Sequence, residues 1–254
     1  MRYSFCFCYR NREAHMNIVL PRIQAYMAID CEFIVVEQND DKKFRRGNLL
    51  NEAVKAASGD IVVLHDIDFY PVEGAYWDGE SDIYRPVTEV VFTKNDLTDR
   101  PIEDIPRGFF NIDPVTVRTN TNPHYYGGVI TFKKELFYKI GGYNPYYVGW
   151  GHEDDDLGFR IAHYNLTDYK SKDGLFYLLE HPDSTPPKKD PDYINNYRLS
   201  FKHKEYLHMG ITNQKSQIEE VKTKHPLVNK WILATGFDEA PQLGEIEVKP
   251  GVWI

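Results

Sequence analysis

The chain has 254 residues, 42% hydrophobic and 27% charged, which is typical of a soluble globular protein with a sizeable core. Its net charge of −8 argues against broad binding to nucleic acid or anionic membranes. No apolar run reaches the roughly 18 residues of a membrane span, and the 3 cysteines make neither a disulfide framework nor a zinc quartet.

Strand and helix patterns alternate along the first part of the chain. Strands are predicted at residues 3–9, 33–36 and 61–64, and helices at 11–28 and 48–57. Cys6 and Cys8 alternate with Phe5 and Phe7, which favours buried free thiols in a reducing cytosol. The alternation predicts an α/β fold with a mostly parallel central sheet flanked by helices, in which a ligand lies beyond the carboxyl ends of the strands.

The alternation of strand and helix patterns stops between residues 77 and 123, where prolines recur and only residues 90–93 resemble a strand. We expect an irregular excursion over the sheet. Further on, the patterns predict strands near 125–132 and 175–179 and helices at 133–140, 154–163 and 193–207, with weaker patterning in the last 40 or so residues. Without a repeat or a clear linker, residues 1–254 are predicted to form a single domain.

Acidic residues concentrate in two places. Asp66 and Asp68 follow a buried strand, where their oxygens suit Mn²⁺ or Mg²⁺, although a solvated turn gives the same pattern. Residues 153–156 are four consecutive acids, which the start of a helix favours through its free N–H groups. The glycines on either side of Trp150 are typical of a mobile segment that lays a ring over a ligand.

Basic residues cluster at the same predicted edge. Arg10 and Arg12 follow the first strand, and residues 42–46 (Lys-Lys-Phe-Arg-Arg) follow the second. In an acidic chain this concentration indicates a phosphate-bearing partner, and a solvated basic turn is the alternative. His181, after a late strand, is a candidate Mn²⁺ ligand.

Together these segments resemble the β-1,4-galactosyltransferase family over roughly residues 3 to 210. In chain order the matching segments are Tyr9-Arg10-Asn11-Arg12, Phe44 to Asn51, Asp66-Ile67-Asp68, Tyr126-Gly127-Gly128-Val129, Gly142-Tyr143-Asn144 and Gly149 to Asp156.

The resemblance implies a GT-A fold and an inverting transfer from a UDP-sugar to a glycan or glycolipid acceptor. Residues about 1–70 would form the nucleotide-binding half and residues about 120–210 the acceptor and metal half. The implied donor-binding residues are Arg10, Arg12, Phe44, Arg46, Asp66, Asp68, Tyr125, Gly128 and Trp150. Asp68 and His181 would hold Mn²⁺, with Mg²⁺ as the alternative. The implied acceptor-binding residues are His152, Glu153, Asp154 and Asp155, with Asp154 as the catalytic base, and Tyr125 favours galactose as the sugar.

The sequence also departs from the family pattern. Leu178 replaces a methionine metal ligand, whereas Val148 and His152 replace residues beside the acceptor site, so the acceptor is not carried over. The anchor, stem and disulfides of the animal members have no counterpart in the sequence, which predicts a cytoplasmic enzyme without an integral membrane segment. The alternatives are a UDP-GalNAc or UDP-glucuronate transferase of the chondroitin-polymerase type, a UDP-sugar-binding module without transferase activity, and a metal-dependent nucleotide-sugar hydrolase.

Overall fold

The computed structural model describes residues 1–27, 30–92, 117–119, 126–149, 151–179, 191–206 and 230–234. Strands and helices alternate in the first third of the chain, and shorter strands follow. The helices are α1 (Glu13–Met27), α2 (Arg46–Ala56), α3 (Lys134–Lys139), α4 (Glu153–His163) and α5 (Pro191–Tyr206). The strands are β1 (Tyr3–Tyr9), β2 (Cys31–Gln38), β3 (Ile61–His65), β4 (Phe69–Glu73), β5 (Ile83–Arg85), β6 (Glu89–Phe92), β7 (Val117–Thr119), β8 (Val129–Lys133), β9 (Asp168–Lys170), β10 (Leu175–Leu178) and β11 (Lys230–Ala234).

The central sheet has seven strands in the order β11-β2-β1-β3-β8-β5-β9. Strand β8 runs antiparallel to its neighbours β3 and β5, and every other pairing in this sheet is parallel. The prediction of a mostly parallel sheet flanked by helices is therefore confirmed.

The alternation of side chains along β1 divides the core into two layers. Phe5 and Phe7 face one side of the sheet, where they pack with α1 residues such as Val19. Cys6 and Cys8 face the other side and pack with residues of α2. Both cysteines are buried and free, which confirms the predicted burial of these thiols.

A second sheet has four strands in the order β4-β10-β6-β7. Strand β3 ends in the first sheet and β4 begins in the second, so residues 66–68 form the crossing between them. The strand predicted at residues 90–93 is confirmed by β6, whereas the expected irregular excursion around it was wrong in part, because β5 joins the central sheet and β7 the second one. Residues 93–116 and 120–123 of that excursion lie outside the described residues. No helix in the described part of the chain combines the length and the apolar character of a bilayer span.

Candidate active site

The candidate site lies at the edge of the central sheet where β1, β2 and β3 end. These strands are parallel, so the residues that follow them meet at one edge. The first residues of β8 reach the same edge, because Val129 pairs with His65 at the end of β3. Segments from the first 70 residues and from residues 126–179 therefore meet at this edge.

Arg46, the first residue of α2, is the centre of a cluster with Asp66, Tyr143, Glu153 and Asp154, here called the Arg46 cluster. Its Nε donates to Asp66 Oδ1 at 2.7 Å, and its Nη1 donates to Asp154 Oδ1 at 2.8 Å. Glu153 Oε1 lies 3.6 Å from the same Nη1. The guanidinium thus connects the carboxylate after β3 to the start of α4.

The charges of the Arg46 cluster do not balance, since three carboxylates face one guanidinium. Burial raises the pKa of Asp66 to about 6, although Arg46 opposes this shift. Burial, followed by the charge of Asp154, raises the pKa of Glu153 to about 8. At neutral pH Glu153 therefore holds a proton, and the two aspartates exceed the single guanidinium by one negative charge. This excess makes the cluster a favourable neighbour for a bound cation.

Tyr143 reaches the cluster because α2 fixes its backbone. Asn51 Nδ2 donates to Tyr143 O, and Tyr143 N donates to Asn51 Oδ1, both at 2.8 Å. Gly47 allows this approach, because a Cβ at that position would lie 2.8 Å from Tyr143 Cβ. The Tyr143 hydroxyl then lies 3.3 Å from Asp154 Oδ1. Gly47 and Asn51 therefore serve the site through Tyr143.

The four consecutive acids lie in the first turn of α4, which confirms the predicted helix start. Their surroundings differ. Asp156 is buried and accepts from Nε and Nη2 of Arg160, whose Nη1 donates to the carbonyl of Ile140 at 2.9 Å. Asp155 is 46% exposed and lies 2.8 Å from His152 Nδ1. The buried pair anchors α4 and leaves Asp154, which is 26% exposed, at the open side.

The Asp66-Ile67-Asp68 turn is held by backbone hydrogen bonds. Asp66 N donates to Gly128 O at 2.8 Å, and Leu179 N donates to Asp68 O at 2.8 Å. Leu179 precedes His181 by two residues, so the two segments predicted to supply metal ligands are directly connected. Gly128 acts sterically, because its φ is +76° and a Cβ there would lie 2.6 Å from the Phe69 ring.

The predicted nucleotide-binding residues line the neighbouring loops. The Arg10 guanidinium lies 5.7 Å from the centre of the Phe44 ring, and its Nη2 donates to the carbonyl of Lys42 at 2.6 Å. Gly149 N donates to Phe44 O at 2.8 Å, which joins this loop to the glycine-flanked segment of Trp150. Arg12 lies just before α1, where its carbonyl accepts from Met16 N at 3.1 Å.

Three predicted site residues, Tyr125, Trp150 and His181, lie outside the described residues. Within the part of the chain that is described, no group of three or more metal-ligating side chains forms. Of the two predicted metal ligands, Asp68 lies in the described part of the chain and His181 does not.

Sequence reasoning gave no role to several residues that shape the site. The Tyr143 hydroxyl and Arg160 are two of them, and their partners are distant in sequence. On α5, Tyr193 and Tyr197 have rings centred 4.9 and 5.2 Å from that of His152, and Asn196 Nδ2 donates to Val148 O at 2.9 Å. The helical pattern predicted α5 but could not show which face meets the Trp150 segment.

Two family models match the chain. One, described as the N-terminal region of glycosyl transferase group 7, matches residues 1–76. The other, described as the N-terminal domain of galactosyltransferase, matches residues 110–184. The chain is 30% identical to β-1,4-galactosyltransferase 4 of Homo sapiens over 172 residues. This alignment covers 63% of this chain and 42% of the human protein. The chain thus spans about two fifths of the length of this relative.

Solved structures are similar along most of the chain. The catalytic domain of Drosophila β1,4-galactosyltransferase 7 in complex with xylobiose matches with a TM-score of 0.67 at 18% identity, covering 93% of this chain and 94% of that one. A mutant of the Drosophila enzyme in complex with manganese, UDP-Gal and xylobiose matches with a TM-score of 0.66 at 18% identity, with the same coverage. These matches confirm the GT-A fold.

Proposed function

Because the chain belongs to glycosyl transferase group 7, the family of the β-1,4-galactosyltransferases, we propose that it is a metal-dependent inverting glycosyltransferase. It moves galactose from UDP-galactose to a hydroxyl of a glycan or glycolipid acceptor and forms a β-linkage. The observation that carries this proposal is the placement of Asp154. Its carboxylate is held by Arg46 and Tyr143 at the sheet edge, on the same side as Asp66 and partly open to solvent.

The donor lies along the loops after β1 and β2. Arg46 Nη2 and Arg10 Nε are buried and have no hydrogen-bond partner among the described residues, so each can donate to an oxygen of the diphosphate or sugar. Phe44, beside Arg10, offers a ring on which the uracil stacks. Gly128 acts indirectly by allowing Phe69 and the Asp66 turn to approach.

Asp154 is the base. Its carboxylate accepts the proton of the acceptor hydroxyl while the acceptor oxygen forms a bond to the anomeric carbon. The bond from that carbon to the UDP oxygen breaks, and its electron pair leaves with UDP. A single displacement of this kind inverts the anomeric centre. His152, Glu153 and Asp155 surround Asp154 and are proposed to contact the acceptor.

The chemistry of the site fits a divalent cation. The Arg46 cluster carries excess negative charge, and the turn that carries Asp68 is joined by a hydrogen bond to the segment that leads to His181. Carboxylate and imidazole ligands suit Mn²⁺, with Mg²⁺ as the alternative. Asp68 and His181 would hold the ion, which when bound neutralises charge on the departing UDP.

Release of UDP by the full chain tests the proposal. UDP-galactose, UDP-GalNAc and UDP-glucuronate are each offered with a mixed set of acceptor sugars, with Mn²⁺ or with EDTA. We expect acceptor-dependent release from UDP-galactose that EDTA abolishes. The variant Asp154→Asn is expected to lose about 100-fold or more of kcat while its Kd for UDP, measured by calorimetry, changes by less than about threefold. Glu135→Gln, in the exposed first turn of α3, is the control that keeps full activity.

Other outcomes would contradict the proposal in different ways. Release from another donor alone favours the chondroitin-polymerase type of transferase, and release that ignores the acceptor favours a hydrolase. UDP binding without release from any donor favours a binding module.

We also propose that the enzyme works in a reducing compartment, the cytoplasm. The support is that Cys6, Cys8 and Cys31 are buried free thiols. Fractionation of the source cells tests this location, and recovery of the chain from an oxidising compartment would contradict it.

A further inference from the structure

His65, the last residue of β3, is a buried imidazole with no solvent exposure. Its ring centre lies 5.2 Å from that of Phe7, 5.7 Å from that of Tyr76 and 6.3 Å from that of Phe176. A polar ring among aromatic side chains is costly unless both of its nitrogens have partners. A leucine or a phenylalanine would fill this apolar space without burying polar atoms. The presence of a histidine here therefore indicates a role for its two ring nitrogens.

Both nitrogens are bonded, and their partners define the tautomer. Nδ1 lies 2.8 Å from the carbonyl oxygen of Asp66, and Nε2 lies 2.9 Å from the hydroxyl of Tyr76. A carbonyl oxygen only accepts, so Nδ1 carries the proton. In a neutral ring Nε2 then accepts from the Tyr76 hydroxyl. The Asp66 carbonyl thus fixes the tautomer, and the Tyr76 hydroxyl satisfies the remaining nitrogen.

The Asp66 carbonyl is the point at which the turn closes. It also accepts from Phe69 N at 3.2 Å, a bond that spans the residues between the two sheets. Rotation of the peptide between Asp66 and Ile67 would break both bonds and move the Asp68 side chain. His65 therefore acts on the orientation of Asp68 from the core side.

We propose that His65 is a positioning residue, which holds the Asp66-Ile67-Asp68 turn in the conformation that presents Asp68 to the divalent cation. The inference rests on the metal dependence in the proposed function. His65 touches neither the ion nor the substrate, and it acts only through the Asp66 carbonyl.

Two variants of His65 with the same branched shape separate this role from packing. In His65→Asn the side-chain amide nitrogen occupies the place of Nδ1 and can donate to Asp66, whereas His65→Leu has no donor there. Both variants leave the Tyr76 hydroxyl without its acceptor, so they share that loss of stability. The difference between them reports the bond to Asp66.

Two measurements on the full chain decide the question. The Kd for Mn²⁺, from the electron paramagnetic resonance signal of the free ion, should rise about tenfold in His65→Leu and stay within about threefold of wild type in His65→Asn. Without metal, exchange of the Phe69 amide hydrogen should be faster in His65→Leu than in His65→Asn.

Equal Mn²⁺ affinity and equal exchange in the two variants would overturn the proposal, even if both were less stable than wild type. If the wild type itself binds no Mn²⁺, the metal in the proposed function is refuted. In that case the exchange measurement still decides whether His65 holds the turn.

Discussion

Replacing Glu153 by glutamine tests whether a buried carboxylate in the Arg46 cluster costs the protein stability. Burial and the charge of Asp154 raise the pKa of Glu153 from 4.5 to about 8. Between these two values the folded protein binds a proton that the unfolded chain has released. The free energy of unfolding of the wild type should therefore fall as the pH rises through this window. In Glu153→Gln the fall should be smaller and should end near pH 6, because only the raised pKa of Asp66 remains.

The size of the effect follows from the same pKa values. Each unit of difference between the pKa of Glu153 in the folded protein and in the unfolded chain corresponds to about 1.4 kcal/mol. The difference between about 8 and 4.5 therefore corresponds to a loss of about 5 kcal/mol of stability at pH 8. Asp66, Asp154 and Glu153 share one guanidinium, so a proton taken up by one relieves the others. We therefore expect Glu153→Gln to be about 2–3 kcal/mol more stable than the wild type at pH 8.

Urea unfolding followed by circular dichroism, at pH 5 and pH 8 without divalent cations, measures the effect. Glu135→Gln, an exposed carboxylate in the first turn of α3, is the matched control and should follow the wild type at both pH values. Transfer activity should fall in Glu153→Gln although the protein is more stable, because the carboxylate is proposed to contact the acceptor. Equal stability of Glu153→Gln and wild type at pH 8 would refute the reasoning.

Two further substitutions test how the site is held in place. Arg160→Met leaves the buried Asp156 carboxylate without its guanidinium, so we expect about 3–5 kcal/mol loss of stability in urea unfolding, and a loss below about 1 kcal/mol would contradict the anchoring role of the pair. Gly128→Ala places a Cβ against Phe69 at a φ of +76° and should cost about 2–3 kcal/mol in thermal unfolding. Gly79→Ala, at a φ of +90° with nothing within 4 Å of its Cβ, isolates the backbone cost and should lose less; an equal loss would exclude the Phe69 contact as the cause.

Much of the fold could be predicted because long strands and helices carry strong patterns. The strand predicted at residues 3–9 matches β1, and the helix predicted at 154–163 matches α4 to within one residue. Strands β5, β7 and β9 have three residues each, too few to show alternation, and β4 contains Pro71, which argues against a strand. Strand β11 lies in the last part of the chain, where the patterning is weaker, and its place is set by pairing with β2.

The site could be predicted where it depends on strand ends and could not where it depends on long-range pairing. Asp66 follows a strand, so its position at the carboxyl edge of the sheet was evident from the sequence. Arg46 was assigned to the donor, yet two of its nitrogens pair with carboxylates from other segments. Such pairs join residues far apart in the chain, and no local pattern encodes them.

The pairing of β11 with β2 has a consequence for synthesis of the protein on the ribosome. Strand β2 is complete once residue 38 has emerged, but the strand that covers its outer edge begins only at residue 230. At roughly 5–20 residues per second, the intervening segment takes on the order of 10–40 s to make. Throughout that interval the backbone N–H and C=O groups along this edge of β2 can pair with another nascent chain, so the central sheet is most open to misassembly before synthesis ends.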